Sequence, residues 1–159
     1  MSAWPEPVER VAAVLRVRAV EARIEEFSEG TPTAARAAEA VGCEVGEIVK
    51  TLVFVCDGLP VLALVPGDRR ADLAKVAAAA HATGARIARP DEVVAATGFE
   101  PGGVAPFPAP QVSRVLLEGE LLTREIVWIG AGSPSHMAAL SPVDLARLTA
   151  AEVGDLTEG

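Results

Sequence analysis

The chain has 159 residues, of which 50% are hydrophobic, and its 22 acidic and 14 basic side chains give a formal net charge of −8. This length fits a single domain over residues 1–159, and the hydrophobic fraction excludes disorder as the main state. Sequence-independent binding to duplexes depends on Lys and Arg neutralising many phosphates. The acidic balance therefore argues against a DNA partner and leaves room only for a small, local nucleic-acid contact.

Several other protein classes are also excluded. No apolar run approaches the ~20 residues that span a bilayer, and residues 1–15 lack the apolar core of a signal peptide. Cys43 and Cys56 form neither a disulfide framework nor a C-x-x-C redox pair, and His81 and His136 have no zinc-site spacing. We therefore predict a cytoplasmic protein with no metal, no cofactor and no membrane contact.

Hydrophobic periodicity and turn residues predict a chain in which helices and strands are mixed. Apolar residues recur at i, i+3, i+4 and i+7 in the clearest helices, and β-branched residues dominate the clearest strands. The predicted elements are helix 5–17, strand 22–27, helix 34–41, strands 48–56 and 59–65, helix 71–83, strand 85–88, helix 90–96, strands 112–117 and 125–129, and helix 142–149. Strands 48–56 and 59–65 are predicted to form one hairpin and strands 112–117 and 125–129 a second one. Two hairpins in a chain that also contains helices predict a mixed sheet.

Four features define the boundaries of these elements. Thr31 or Thr33 is predicted to cap the second helix, which Gly42 ends. Asp57-Gly58 predicts the turn of the first hairpin, whose strand 48–56 is apolar on both faces and is therefore predicted to be central. Four prolines and two glycines exclude a helix or a central strand over 99–110.

Lys50 is the first candidate site residue, because it begins the predicted central strand and shares a face with Leu52 and Phe54. The alternative is a lysine whose stem packs on the sheet while its ammonium group stays in water.

The second candidate is the glycine loop that follows Gly98. Gly102 and Gly103 allow backbone N–H groups to approach a carboxyl, a phosphate or a developing oxyanion. The alternative is a surface loop stiffened by Pro106, with Gly98 as a helix C-cap. The spacing matches neither a dinucleotide fingerprint nor an NTPase loop.

The third candidate is the segment from Gly130 to His136, which follows a predicted strand. His136 could bind or donate a proton near neutral pH, although a lone histidine on a surface is usually incidental. The sequence leaves the spatial partners of Ser133 and Ser135 open, so it does not establish a Ser-His-acid triad.

Together, these motifs resemble the YbaK/prolyl-tRNA-synthetase-associated editing domain family. The segments that carry the resemblance occur in the family's order: 33–54, 65–68, Leu73 and Lys75, 97–98, 102–107, 130–133 and 142–145. The resemblance covers about residues 20–150. It implies an α/β fold with a mixed, mostly antiparallel sheet that is curled into a partial barrel and surrounded by helices.

The resemblance also implies a function, a trans-acting aminoacyl-tRNA deacylase that hydrolyses the ester of a mischarged small amino acid, with tRNA-Pro as one candidate tRNA. The partners implied are the tRNA 3′ acceptor end carrying an amino acid and, as a second candidate, an aminoacyl-tRNA synthetase. A binding module on the same scaffold, without turnover, is the alternative, and a redox or structural protein using Cys43 and Cys56 is a more remote one.

The family's functional positions map onto ten residues. The catalytic positions are Lys50, Gly102 and Gly103, and the substrate-binding positions are Thr51, Gly98, Val104, Pro106, Gly130, Gly132 and His136. In this family the 2′-hydroxyl of the tRNA is thought to assist, so no side-chain base is required. Lys50 would hold a terminal phosphate or the ribose, and the backbone of residues 102–103 would face the aminoacyl carbonyl.

Overall fold

A computed structural model of the chain describes residues 4–27 and 33–159, whose strands form two sheets. The helices are α1 (Glu6–Val17), α2 (Ala34–Val41), α3 (Leu73–Ala79), α4 (Pro90–Thr97) and α5 (Pro142–Thr149). The strands are β1 (Ala22–Glu26), β2 (Val49–Cys56), β3 (Leu59–Pro66), β4 (Ala85–Ile87), β5 (Arg114–Glu118), β6 (Val127–Ser133), β7 (His136–Leu140) and β8 (Glu152–Gly154). Two 3-10 turns occupy Val45–Glu47 and Gly119–Thr123.

The mixed α/β class is confirmed, but the strands divide between two sheets. One sheet has the order β4-β2-β3-β5-β8, and the other has the order β1-β7-β6. The β3–β5 and β5–β8 pairs are parallel, and the remaining pairs are antiparallel. A parallel bridge between Ile48 and Trp128 links the two sheets at the start of β2. Within the described residues neither sheet closes or curls strongly, so the partial barrel is not confirmed.

The first predicted hairpin is confirmed and the second is wrong. β2 and β3 pair over their whole length around the Asp57-Gly58 turn, and β2 lies between β3 and β4 as predicted. β5 and β6, however, lie in different sheets, because the 3-10 turn Gly119–Thr123 carries the chain from one sheet to the other.

The C-terminal third contains two strands, β7 and β8, that the sequence did not predict. β6 continues through residues 130–133, which had been expected to form a loop, and it returns as β7. Position 130 inside this strand requires a glycine, because a Cβ there would lie only 2.7 Å from the carbonyl oxygen of Val104. A glycine inside a strand often marks such a close backbone approach.

The largest hydrophobic core cluster fixes the glycine loop to the rest of the molecule. Phe99 and Phe107, which bracket the loop, are almost fully buried and belong to the same cluster as Val11 of α1 and Ile129 of β6. Burying each aromatic ring contributes roughly 1.5–3 kcal/mol. The loop is therefore fixed to the core at both ends rather than lying free on the surface.

Candidate active site

One cavity gathers most of the predicted site residues. It has a volume of about 360 Å³ and opens where the start of β2, the start of α2, the glycine loop and the β6–β7 hairpin meet. Six of the ten predicted residues line it: Lys50, Thr51, Gly102, Val104, Gly130 and His136. Its other lining residues are Thr33, Ala34, Ala37, Ile48, Val49, Leu52 and Met137, which are mostly small or apolar.

Lys50 occupies the boundary between this cavity and a second one. The second cavity, of about 550 Å³, is also lined by Leu52, Phe54, Arg70 and Leu73. The Lys50 ammonium group donates a hydrogen bond to the carbonyl oxygen of Arg69, so it is held in place rather than free in water. A cation at this position can reach groups that enter either cavity.

The surroundings of Lys50 change the acidity of its ammonium group. Partial burial lowers the pKa of Lys50, and the positive charge of Arg70 lowers it further, whereas the carboxylate of Asp68 opposes the shift. Burial and Arg70 thus disfavour the charged form of Lys50, and a ligand anion beside the ammonium group would favour that form again.

Gly102 and Gly103 have different environments. Gly102 is exposed, lines the cavity and has a φ of +91°, with no atom within 4 Å of the position of a Cβ. Gly103 is buried, and its N–H donates to the carbonyl oxygen of Glu100 at 3.0 Å. A Cβ on Gly103 would lie 2.8 Å from the Cα of Ser133. Gly102 therefore faces the cavity, and Gly103 packs the loop against β6.

The predicted residues that do not line the cavity support it from outside. Gly98 ends α4 with a φ of +75°, and its carbonyl accepts a hydrogen bond from Arg10 at 2.7 Å. At Gly132, whose φ is +104°, a Cβ would lie 2.7 Å from the carbonyl oxygen of Pro7. Pro106 is buried between Ala105 and Phe107. Gly98 and Gly132 thus mark where α1 contacts the end of α4 and β6.

His136 is not a surface histidine, because it is 3% exposed and begins β7. Its Nδ1 lies 2.5 Å from the hydroxyl of Ser133, and its Nε2 lies 3.2 Å from a carboxylate oxygen of Glu26 without hydrogen-bond geometry. The ring of Trp4 packs edge-on against it, with 5.6 Å between the ring centres. The sequence analysis missed Glu26, since only the pairing of β1 with β7 brings it here.

The surroundings of the Thr51 hydroxyl also suit a ligand-binding role. It lines the cavity, and its buried hydroxyl has no hydrogen-bond partner among the residues that the structure describes. An unsatisfied buried hydroxyl costs free energy, so a ligand group that pairs with it would gain affinity.

Thr33 forms part of the cavity wall and holds α2 in place. Its hydroxyl accepts a hydrogen bond from the backbone N–H of Arg36 at 3.1 Å, which makes it the N-cap of α2. Of the two caps considered from the sequence, Thr33 is confirmed, and Thr31 lies outside the described residues. The sequence predicted Thr33 as a cap, but no sequence feature indicated that Thr33 would line the cavity.

We expect Thr33→Ala to destabilise the protein by about 1 kcal/mol, because the substitution removes one N-cap hydrogen bond. Thr33→Ser keeps the hydroxyl and is the matched control. Denaturant unfolding measures the change, and faster hydrogen exchange at the Arg36 amide would locate it. Equal stability of Thr33→Ala and Thr33→Ser would contradict the capping role.

Cys43 and Cys56 are free thiols in separate hydrophobic clusters, and burial raises the pKa of each.

Over residues 4–27 and 33–159, no group of three or more His, Cys, Asp or Glu side chains is placed to hold a metal ion. No helix in the same ranges is long and apolar enough to cross a bilayer.

Comparison with known protein families matches residues 28–148 to the aminoacyl-tRNA editing domain. The chain belongs to the aminoacyl-tRNA editing domain family. All ten predicted site residues of this editing domain lie within the matched range. Helix α1 lies before it, although α1 contacts the site through Arg10 and Pro7.

Individual relatives of the editing domain include two curated proteins and one solved structure. EbsC of Enterococcus faecalis, a candidate Cys-tRNA(Pro)/Cys-tRNA(Cys) deacylase, is 30% identical over 132 residues, which are 82% of this chain and 80% of EbsC. The proline–tRNA ligase of Nitratidesulfovibrio vulgaris strain DP4 is 35% identical over 123 residues, 77% of this chain but 21% of the ligase. A crystal structure of a candidate trans-editing enzyme for prolyl tRNA synthetase is 38% identical, with a TM-score of 0.90, and the match covers 99% of this chain and 100% of that one.

Proposed function

We propose that this editing domain is a trans-acting deacylase that hydrolyses the ester joining a mischarged small amino acid to the 3′ end of a tRNA. The observation that carries the proposal is that Lys50, the exposed Gly102 and His136 line one cavity of about 360 Å³. The candidate functions of EbsC and of the solved trans-editing enzyme support it.

The cavity wall suits a small aminoacyl group. Ala34 and Ala37 of α2 and Gly130 of β6 line it, and none of them extends beyond a methyl group. A small pocket admits small amino acids and excludes larger ones, so a correctly charged tRNA with a bulkier amino acid would escape hydrolysis.

Lys50 would hold the nucleotide side of the ester. Its ammonium group acts as a point charge toward a phosphate or the ribose hydroxyls. The second cavity, which shares Lys50 and includes Arg70, would give the tRNA end a path away from the aminoacyl group. In this arrangement the ester lies at the boundary between the two cavities.

Hydrolysis then requires a positioned water and a stabilised oxyanion. The water oxygen bonds to the carbonyl carbon, the bond from that carbon to the ribose oxygen breaks, and the departing ribose oxygen gains a proton. The neighbouring ribose hydroxyl would help to position the water, and the backbone at Gly102 would face the carbonyl as charge develops on its oxygen. Gly103 supports this loop, because its own N–H is already paired with Glu100.

The proposed partners rest on the names of the relatives and on the size of the contact that the cavities allow. We propose that the domain contacts only the acceptor end of a tRNA, with tRNA-Pro as the first candidate and a synthetase as a possible source of the tRNA in the cytoplasm. The net charge of −8 fits such a small contact, since binding to extended nucleic acid would need many more cations.

A panel of mischarged tRNAs tests this function. We expect release of at least one of Ala, Cys, Ser or Thr from tRNA-Pro well above the rate in buffer, and no release of proline from Pro-tRNA-Pro. Saturable binding of an aminoacyl-adenosine analogue without hydrolysis of any ester would instead favour the binding module.

A further inference from the structure

The β-sheet register places two polar side chains against His136. In the antiparallel pair β1–β7, Glu26 is directly opposite His136, and across the β6–β7 turn Ser133 is opposite it as well. Directly opposed residues in antiparallel strands project from the same face of the sheet. The backbone therefore brings Glu26, His136 and Ser133 together although 110 residues separate the first two.

The two ring nitrogens have different neighbours. Nδ1 lies 2.5 Å from Ser133 Oγ and 3.3 Å from Ser135 Oγ, and Nε2 lies 3.2 Å from Glu26 Oε2. An ionised carboxylate can only accept hydrogen bonds, so a proton on Nε2 is favoured beside Glu26. In a neutral ring, Nδ1 is then an acceptor that needs a donor.

Ser133 is well placed to be that donor. Its oxygen already accepts a hydrogen bond from the backbone N–H of Ser135 at 3.1 Å. Its own hydroxyl proton can point at Nδ1 or at Ser135 Oγ, and the contact to Nδ1, at 2.5 Å against 3.3 Å, is the shorter one. Because the ring is 3% exposed and packs against Trp4, few water molecules can compete for either nitrogen.

From this arrangement we infer that Glu26 and Ser133 are positioning residues that hold His136 as the Nε2–H tautomer. Nε2 has no hydrogen-bond partner among the described residues, and the ring lines the cavity. His136 thus offers a hydrogen-bond donor, not an acceptor, to an oxygen of the aminoacyl group after a small local adjustment. This last step rests on the proposed function, whereas the tautomer does not.

Nitrogen NMR of the histidine rings tests the tautomer without an activity assay. The chain has two histidines, and His81 is exposed, so it serves as the internal reference. The measurement is made at pH 8, above the ordinary histidine pKa of about 6.5. We expect a protonated Nε2 and an unprotonated Nδ1 for His136, and averaged nitrogen shifts for His81.

The variants separate positioning from simple packing. Ser133→Ala and Glu26→Gln should move the His136 nitrogen shifts toward the averaged values, because each removes one of the two groups that select the tautomer. Ser135→Ala removes only the longer, 3.3 Å contact to Nδ1 and keeps the backbone N–H that Ser133 accepts, so it is the matched control, and its shifts should change less than those of Ser133→Ala. A proton on Nδ1 in the wild type, or unchanged shifts in both Ser133→Ala and Glu26→Gln, would overturn the inference.

Kinetics then test the consequence for catalysis. Ser133→Ala should lower kcat for deacylation about tenfold, the value of one ordinary hydrogen bond, and should leave KM within about twofold. An unchanged kcat would contradict the positioning role even if the tautomer is as inferred. If the wild type hydrolyses no ester, the proposed function fails, while the NMR result still decides the tautomer.

Discussion

Lys50→Ala is expected to lower kcat/KM for deacylation by about 100-fold or more while the domain stays folded. The substitution removes the charge at the boundary of the two cavities, and the loss of one partner of a buried charge pair costs about 2–5 kcal/mol, a range that includes a 100-fold loss. Single-turnover release of the amino acid from mischarged tRNA measures the effect, and circular dichroism checks the fold.

Two controls make the Lys50 result specific. Lys75 is the second of the chain's two lysines; its ammonium group donates hydrogen bonds to Asp155 and to the Thr157 carbonyl, and Lys75 lines neither cavity. Lys75→Ala should therefore keep nearly full activity. Lys50→Arg keeps the charge but changes its shape, and we expect partial activity. Equal loss of activity in Lys50→Ala and Lys75→Ala would argue against a site at Lys50.

Gly103→Ala is expected to lower both the stability of the domain and its activity. The new methyl carbon would lie 2.8 Å from Ser133 Cα and 3.0 Å from its carbonyl carbon, and both are backbone atoms that cannot move alone. Overpacking of this kind costs about 1–3 kcal/mol. The loop must also shift away from β6, so the cavity would deform and deacylation would fall with stability. Urea unfolding measures the first effect and the single-turnover assay the second.

Gly102→Ala is the matched comparison for stability. Its position has a φ of +91° but open space around the added carbon, so only the backbone conformation is strained. We expect a cost of about 1 kcal/mol, below that of Gly103→Ala. A larger loss of stability at Gly102 than at Gly103 would show that the packing against Ser133 matters less than the geometry indicates.

Local sequence signals predicted the parts of the fold that depend on neighbouring residues. The Asp57-Gly58 turn fixes the register of β2 and β3, and the apolar stripe of α1 is buried as predicted. We did not predict β7 from the sequence, because its residues HMAAL include no β-branched residue and no alternation of apolar and polar residues. That strand forms because β1 and β6 pair with both of its edges, which no local pattern can indicate.

In the candidate site, too, local motifs predicted some residues, whereas other residues come together only through the fold. The family motifs contain Lys50 and Gly102, His136 follows the motif 130–133, and the fold brings all three residues to one cavity. The partners of His136 were not predictable, since Glu26 lies 110 residues away and reaches the ring only through strand register. The motifs predict a catalytic position at Gly103 and a substrate-binding position at Gly132, and at both a Cβ would meet another backbone segment.

The rate at which a small amino acid is released from mischarged tRNA-Pro, compared with buffer alone, tests the central claim most directly. The wild type should accelerate release of at least one small amino acid by about 100-fold or more, and Lys50→Ala should return the rate close to that of buffer. A wild-type rate equal to buffer for Ala, Cys, Ser and Thr, with the protein folded, would contradict the proposed deacylase.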